Sequence, residues 1–468
     1  MKAPTSPWRA RLLLINLALT ILLLGLTPYP RAFTGAMQRA VAQQTAREYG
    51  AALDSYKQAA RYDADSPLPW LAIGRVLLEQ NRPVQAAIAF QEAEHLGSGL
   101  PALVGLGESY AKRGDWAAAM QTWMEALVTA QDDAGLLVSL GRGSVAQDHF
   151  DQAAGFLQRA LVLEPEDDAA IEAHQLLGRL LVASDPAAAA EHFRQAGDGD
   201  MLAVLEGAQA EANETRRALL LGAAFLQRDE LALARRHFAR AIDLAPDEAE
   251  AYAYLAHVYD LMGETVQARL LLEQALTLDP ESALVHYFWG THEHLVGNLY
   301  RARDAMWEAL LRDPENAAMR LEMAEIFLDL HDYAAAEEWY QGAVEVAPEN
   351  LEFHLLLANF YTSSLYHVAE GGIPAAQAAV DLAPEDARAY DLLGWAYHLA
   401  GRHAEAQRAF LRSLALDPDL PSAHYHLGSM YLSIGQQDRA REHLQRASDL
   451  DTNGFLRRRA ELLLLELE

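Results

Sequence analysis

The chain has 468 residues and a formal net charge of −29 at pH 7, a balance that opposes nucleic-acid binding, because neutralising phosphates requires clustered Lys and Arg. It contains no cysteine, which excludes disulfides, thiolate metal sites and cysteine nucleophiles together. The length is large for one core, whereas an array of small units adds its own interfaces with each unit and accommodates the 51% apolar content.

The N-terminus differs in kind from the rest. Lys2, Arg9 and Arg11 precede an uncharged run from Leu12 to Thr27 that Pro28 and Pro30 close. A helix between Trp8 and Tyr29 would rise about 31 Å, close to the hydrocarbon thickness of a bilayer, with an aromatic residue at each interface. Residues 1–32 therefore read as a signal-anchor or transmembrane helix. The positive-inside bias places the N-terminus in the cytoplasm and the remaining chain outside it. The alternative is a cleaved signal peptide and a secreted chain. That reading needs small residues soon after the apolar run, and Ala40-Val41-Ala42 lies well beyond Leu26.

From Phe33 onward the pattern is helix after helix. Prolines that close similar helical phrases stand at Pro246, Pro280, Pro314, Pro348, Pro384 and Pro418, a spacing of 34 residues with one two-residue insertion. A fixed period of this size marks a stacked helical repeat. Within the period, the unit starting at Ala249 has Tyr252, Leu255, Ala256, Tyr259, Ala268, Leu272, Ala275 and Pro280. The unit starting at Ala387 has Tyr390, Leu393, Gly394, Tyr397, Ala406, Phe410, Ser413 and Pro418. Small residues at positions 8, 20 and 27 let antiparallel helices approach, and bulky residues at 4, 7, 11 and 24 fill the space between them. Gly263, Gly297 and Gly401 fall where first helices end, as C-cap glycines.

These phases resemble the tetratricopeptide repeat family. The resemblance implies an all-α, right-handed superhelical solenoid of about twelve helix-turn-helix repeats, preceded by the single transmembrane helix. The units begin near Phe33, Pro67, Leu100, Ala134, Ile171, Thr215, Ala249, Ala283, Ala317, Leu351, Ala387 and Pro421. The first is faint and the fifth is short. The organisation reads as an N-terminal array at 33–196, an irregular helical junction at 197–214, a C-terminal array at 215–454 and a capping helix at 455–468. The junction is either a hinge or a degenerate helix that keeps the stack continuous. The insertion in "YTSSLYHVAEGGIPAAQ" reads as a local bulge, and Arg457 to Arg459 are expected to face water.

Chemistry is mostly missing. "GLGESYA" around Ser109 lacks the last glycine of a nucleophile elbow and lies on a repeat helix. The pairs His292/His294 and His424/His426 are two residues apart, which points them in different directions on a helix. No catalytic, cofactor-binding or metal-binding residue is nominated, and no cofactor is expected.

What remains is surface. The family resemblance implies that first helices line a concave groove, chiefly through positions 2, 5, 9 and 12. In this sequence those phases nominate His257, Asp260, Tyr287, Thr291, His294, Asn359, Arg388, Asp391, Trp395, His398, Tyr425 and Ser429. Aromatic residues beside polar groups suit a peptide hot spot, while packing between units is the competing role for Tyr287, Trp395 and Tyr425. The expected function is a membrane-tethered scaffold that binds a protein or peptide partner. Its alternative is a non-catalytic assembly or regulatory subunit of an envelope polysaccharide or lipopolysaccharide pathway. Membrane-anchored repeat factors of that kind carry a four-cysteine metal module, which this chain lacks. An enzyme with an unrecognised site is the third reading. Three lysines against 34 arginines is a bias associated with bacterial, GC-rich coding.

Overall fold

The computed structural model describes residues 31–163 and 167–467. The apolar run Leu12 to Thr27, on which the expected membrane anchor rests, lies outside the described residues. Among those described, no helix is long and apolar enough to cross a membrane.

The described residues form twenty-six α-helices, one short π-helix and no strand. Twenty-four α-helices make twelve consecutive antiparallel pairs, from Arg31–Thr45 with Tyr49–Tyr62 to Pro421–Ser433 with Gln437–Leu450. Two stand alone: Gly199–Ala210, between the fifth and sixth pairs, and Phe455–Leu465 at the end. The first pair, faint in sequence, is fully formed and buries Phe33, Met37 and Tyr56.

The turns follow local chemistry. Asp115, Asp185, Asn213, Ser282, Asn316, Asp332 and Asp386 each cap a helix by accepting from a backbone N–H of its first turn. Gly263, Gly297 and Gly401 have φ of +79°, +80° and +76°, the left-handed geometry that ends first helices. Asn81, Asp229 and His331 adopt the same geometry with a side chain, at φ of +50°, +59° and +60°.

Several pairs are closed by a small residue facing a bulky one sixteen positions on. A Cβ added at Gly74 would lie 2.7 Å from Phe90, at Gly107 2.2 Å from Trp123, at Gly222 2.6 Å from Phe238, and at Gly428 2.9 Å from Leu444. These contacts join positions 8 and 24 of the repeat. They explain why Phe90, Trp123, Phe238 and Leu444 are all fully buried.

The chain divides into two compact units. One comprises the described residues up to Leu136 together with those from Pro418 onward, and the other the described residues from Leu137 to Asp417. The first unit is thus built from the first and last repeats. The stretch 197–214, expected as an irregular junction, lies within the second unit and contains the helix Gly199–Ala210. Arg179 reaches across it, with one guanidinium nitrogen 3.0 Å from Glu230 and the other 3.7 Å from Asp198.

The two-residue insertion is a π-helix, Val368–Gly372, entered through Leu365 at φ +57° and His367 at φ +46°. Glycine is required at 371, where a Cβ would stand 2.4 Å from the Tyr361 ring. The terminal helix corrects one expectation. Arg458 and Arg459 face water, but the Arg457 guanidinium turns inward and donates to the carbonyls of Gln80 at 3.0 Å and Asp451 at 3.2 Å.

Candidate partner-binding surface

The nominated residues fall into separate sets. Tyr425 and Ser429 belong to the first unit and the other ten to the second. Four of the ten come together on the first helices of two consecutive pairs, Ala249–Leu261 and Ala283–Leu295: His257, Tyr287, Thr291 and His294. The His257 ring stacks on Phe288 with centroids 4.8 Å apart, and Tyr287 tilts against the same ring at 5.3 Å. Both are half-buried.

The next first helix, Ala317–Asp329, supplies the carboxylates. His294 Nδ1 lies 2.8 Å from Glu322 Oε1 and its Nε2 lies 3.1 Å from Asp329 Oδ2. A carboxylate accepts, so these two contacts favour the ring with both nitrogens protonated. The Glu322 hydrogen bond, opposed by partial burial, raises the His294 pKa above its ordinary value. Burial pushes His257 down, while the Glu322 charge pulls it back. Burial followed by that same charge pushes Tyr287 up. On the same helix as Glu322, Glu325 accepts from the Tyr340 hydroxyl.

Glu322 is therefore the electrostatic centre of this surface, although it lies at a repeat phase that the groove rule does not select. Glu322, Glu325 and Asp329 follow at intervals of three and four residues on one helix. That stripe is visible in sequence as a helical face. What it faces is not.

Asp260 is not on the surface. It is 8% exposed, and His292 Nδ1 donates to both its carboxylate oxygens at 2.9 and 3.0 Å. Burial raises its pKa, and the His292 hydrogen bond holds the rise in check. His292 is likewise buried, at 3% exposure. The pair is an internal tie between the helices Ala249–Leu261 and Ala283–Leu295. The groove expectation for Asp260 is corrected accordingly, because the partner of this carboxylate is a histidine 32 positions away.

The other nominees are largely engaged. Thr291 Oγ1 donates to the Phe288 carbonyl at 3.0 Å, and Ser429 Oγ to that of Tyr425 at 2.8 Å. Arg388 is exposed and forks between Glu352 at 2.7 Å and Asp386 at 2.9 Å. Asp391 is buried at 3% exposure, which places it inside the pair rather than in a groove. The Trp395 ring lies 5.1 Å from His398, whose Nδ1 is 3.2 Å from that of His403. Asn359 is exposed, and its backbone carbonyl accepts from Thr362. Tyr425 meets His426 edge-on at 5.7 Å. Among the described residues, no three His, Asp or Glu side chains converge as metal ligands.

Sequence models described as tetratricopeptide repeat match residues 37–101, 225–288, 296–362, 387–420 and 409–442, together more than half of the chain. No curated protein matches. Among solved structures, a tetratricopeptide repeat protein from Parabacteroides merdae is 15% identical with a TM-score of 0.42, covering 54% of this chain and 98% of that one. Yeast Tom70 is 17% identical with a TM-score of 0.41, over 93% and 96% of the two chains. MamA from Desulfovibrio magneticus is 22% identical with a TM-score of 0.32, over 36% and 94%. The repeat models recur along the same helix pairs whose small and bulky residues interlock, and the chain belongs to the tetratricopeptide repeat family.

Proposed function

We propose that the chain is a non-enzymatic scaffold that receives a protein or peptide segment across the helices Ala249–Leu261, Ala283–Leu295 and Ala317–Asp329. Proteins of this family generally mediate protein–protein interactions. The observation that carries the reading here is the stacking of His257 and Tyr287 on Phe288, on the same helix as the His294 that bonds to Glu322. Half-buried aromatic groups beside ionised ones are the chemistry that anchors a peptide side chain. Tethering through residues 1–32, with the repeats outside the cytoplasm, belongs to this proposal and rests on the sequence alone.

The test is a crosslinked capture from membranes with full-length protein, comparing wild type with Tyr287→Ala combined with His257→Ala. Circular dichroism checks that both are folded. A partner held by wild type and lost by the variant supports the reading. Equal capture by both places the binding face elsewhere.

A further inference from the structure

The first hairpin and the last repeat, joined in sequence only through the intervening repeats, touch each other within the first unit. Arg446 on the helix Gln437–Leu450 donates to the backbone carbonyls of Ala46 at 3.1 Å and Arg47 at 2.9 Å. Its other guanidinium nitrogen lies 2.8 Å from Asp419, and Asp419 also takes the Arg47 side chain at 2.6 Å. Asp449 accepts the Gly50 N–H at 2.9 Å. The Arg457 contact to the Gln80 carbonyl completes the set. His424 donates to the Pro418 carbonyl at 3.0 Å, fixing the turn that presents Asp419.

The character of this contact differs from that of its neighbours. The apolar cluster that runs from Phe33 to Leu106 through the first hairpins includes no residue of the last repeat. Successive pairs are held by buried rings, whereas the two chain ends are held by guanidinium groups, carboxylates and backbone carbonyls. Arg47, Asp419 and Arg446 all keep solvent access. Ion pairs of that kind contribute little individually and are screened by salt, and their Debye length shrinks to about 3 Å at 1 M.

We propose that this contact is a reversible, salt-sensitive latch between the two ends of the repeat array, with Arg446 as its fastening residue. Opening exposes the carbonyls of Ala46 and Arg47 and frees the carboxylates of Asp419 and Asp449. Gly50 sets the closeness of the seat: a Cβ there would meet Gln445 at 3.0 Å and Asp449 at 3.2 Å. The latch is independent of which partner the scaffold binds.

The absence of native cysteine makes the test clean. Full-length protein carrying Lys57→Cys and Asp438→Cys, both at exposed positions, is labelled with a donor and an acceptor dye. Energy transfer is then followed from low salt to about 1 M NaCl. Transfer is expected to be high at low salt and to fall as salt rises. Arg446→Ala in the same background is expected to lower the closed-to-open ratio by roughly fivefold at low salt. A second variant, Arg446→Lys, keeps the charge without the forked donation and falls between the two. Thermal melting of each variant, followed by circular dichroism, separates latch opening from unfolding. Low transfer in wild type at low salt would overturn the proposal, as would transfer unmoved by both salt and Arg446→Ala with the fold intact. Transfer that appears only in mixtures of singly labelled chains would show the contact to be intermolecular and also overturn it.

Discussion

Phe410 packs its ring directly over the backbone of Gly394, where an added Cβ would stand 2.6 Å from Cδ1 and 2.7 Å from Cε1. No real Cβ contact is that short, so the ring or the helix pair must shift. Phe410 is fully buried and has no vacant rotamer space to move into. Gly394→Ala gains about 1 kcal/mol of helix propensity and loses about 1–3 kcal/mol to overpacking. A net destabilisation of up to about 2 kcal/mol is expected by urea titration. A neutral result would show that the pair tolerates separation.

The turn at His331 offers the opposite change. Its φ of +60° is costly for a residue with a Cβ, and its side chain is exposed. Its ring contact is an edge-on approach to Tyr333 at 6.2 Å. The equivalent turns at Gly263, Gly297 and Gly401 use glycine. Relief of left-handed strain, about 1–2 kcal/mol, exceeds the entropy that glycine adds to the unfolded chain, about 0.5–1 kcal/mol. His331→Gly is expected to stabilise the protein by about 0.5–1 kcal/mol, read as a raised melting temperature.

A third expectation concerns acid. His237 is 3% exposed and stacks on Phe225 at 5.2 Å, and its Nδ1 has no hydrogen-bond partner. Burial first, then the charges of Arg236 and Arg240, hold its pKa down at about 3. The folded state keeps this ring neutral while the unfolded chain takes up a proton below its ordinary pKa of 6.5. Stability is therefore full above that value and falls as pH drops towards 3. At pH 5 the loss is about 2 kcal/mol. His174, His192, His257, His424 and His443 are shifted the same way by burial. His294, shifted up by Glu322, acts in the opposite sense. Urea titrations at pH 7 and pH 5 measure the slope, and His237→Leu should flatten it. An unchanged slope would mean that the ring is solvated.

How far the sequence carried depended on whether each signal was local. The helix pairs were legible because small and bulky residues recur at fixed phases, and Gly74, Gly222 and Gly428 meet their partners sixteen residues on. The gathering of His257, Tyr287 and His294 was legible for the same reason, since positions 5, 9 and 12 of successive first helices share a face. Glu322 was missed because its phase lies beside the one that the groove rule selects. Asp260 was misplaced because a 34-residue rhythm indicates which residues align but not which charge finds a buried partner. The meeting of Gly50 with Asp449 leaves no trace in any window, since it spans 399 residues.

The correction at Asp260 yields a test that separates structure from binding. Its carboxylate and the His292 ring are buried against each other, with both oxygens within 3.0 Å of Nδ1. Removing one partner leaves the other buried without its hydrogen bond, which typically costs about 3–5 kcal/mol for a charged pair. Asp260→Ala is expected at the lower end of that range, because it leaves a buried imidazole N–H without its acceptor. Asp260→Asn retains an acceptor for the imidazole N–H and should cost about half as much. If Asp260 acts only as an internal tie, partner capture per folded molecule stays at the wild-type level in both variants, while Tyr287→Ala with His257→Ala lowers it. A loss of capture by fully folded Asp260→Asn would return this residue to the binding face.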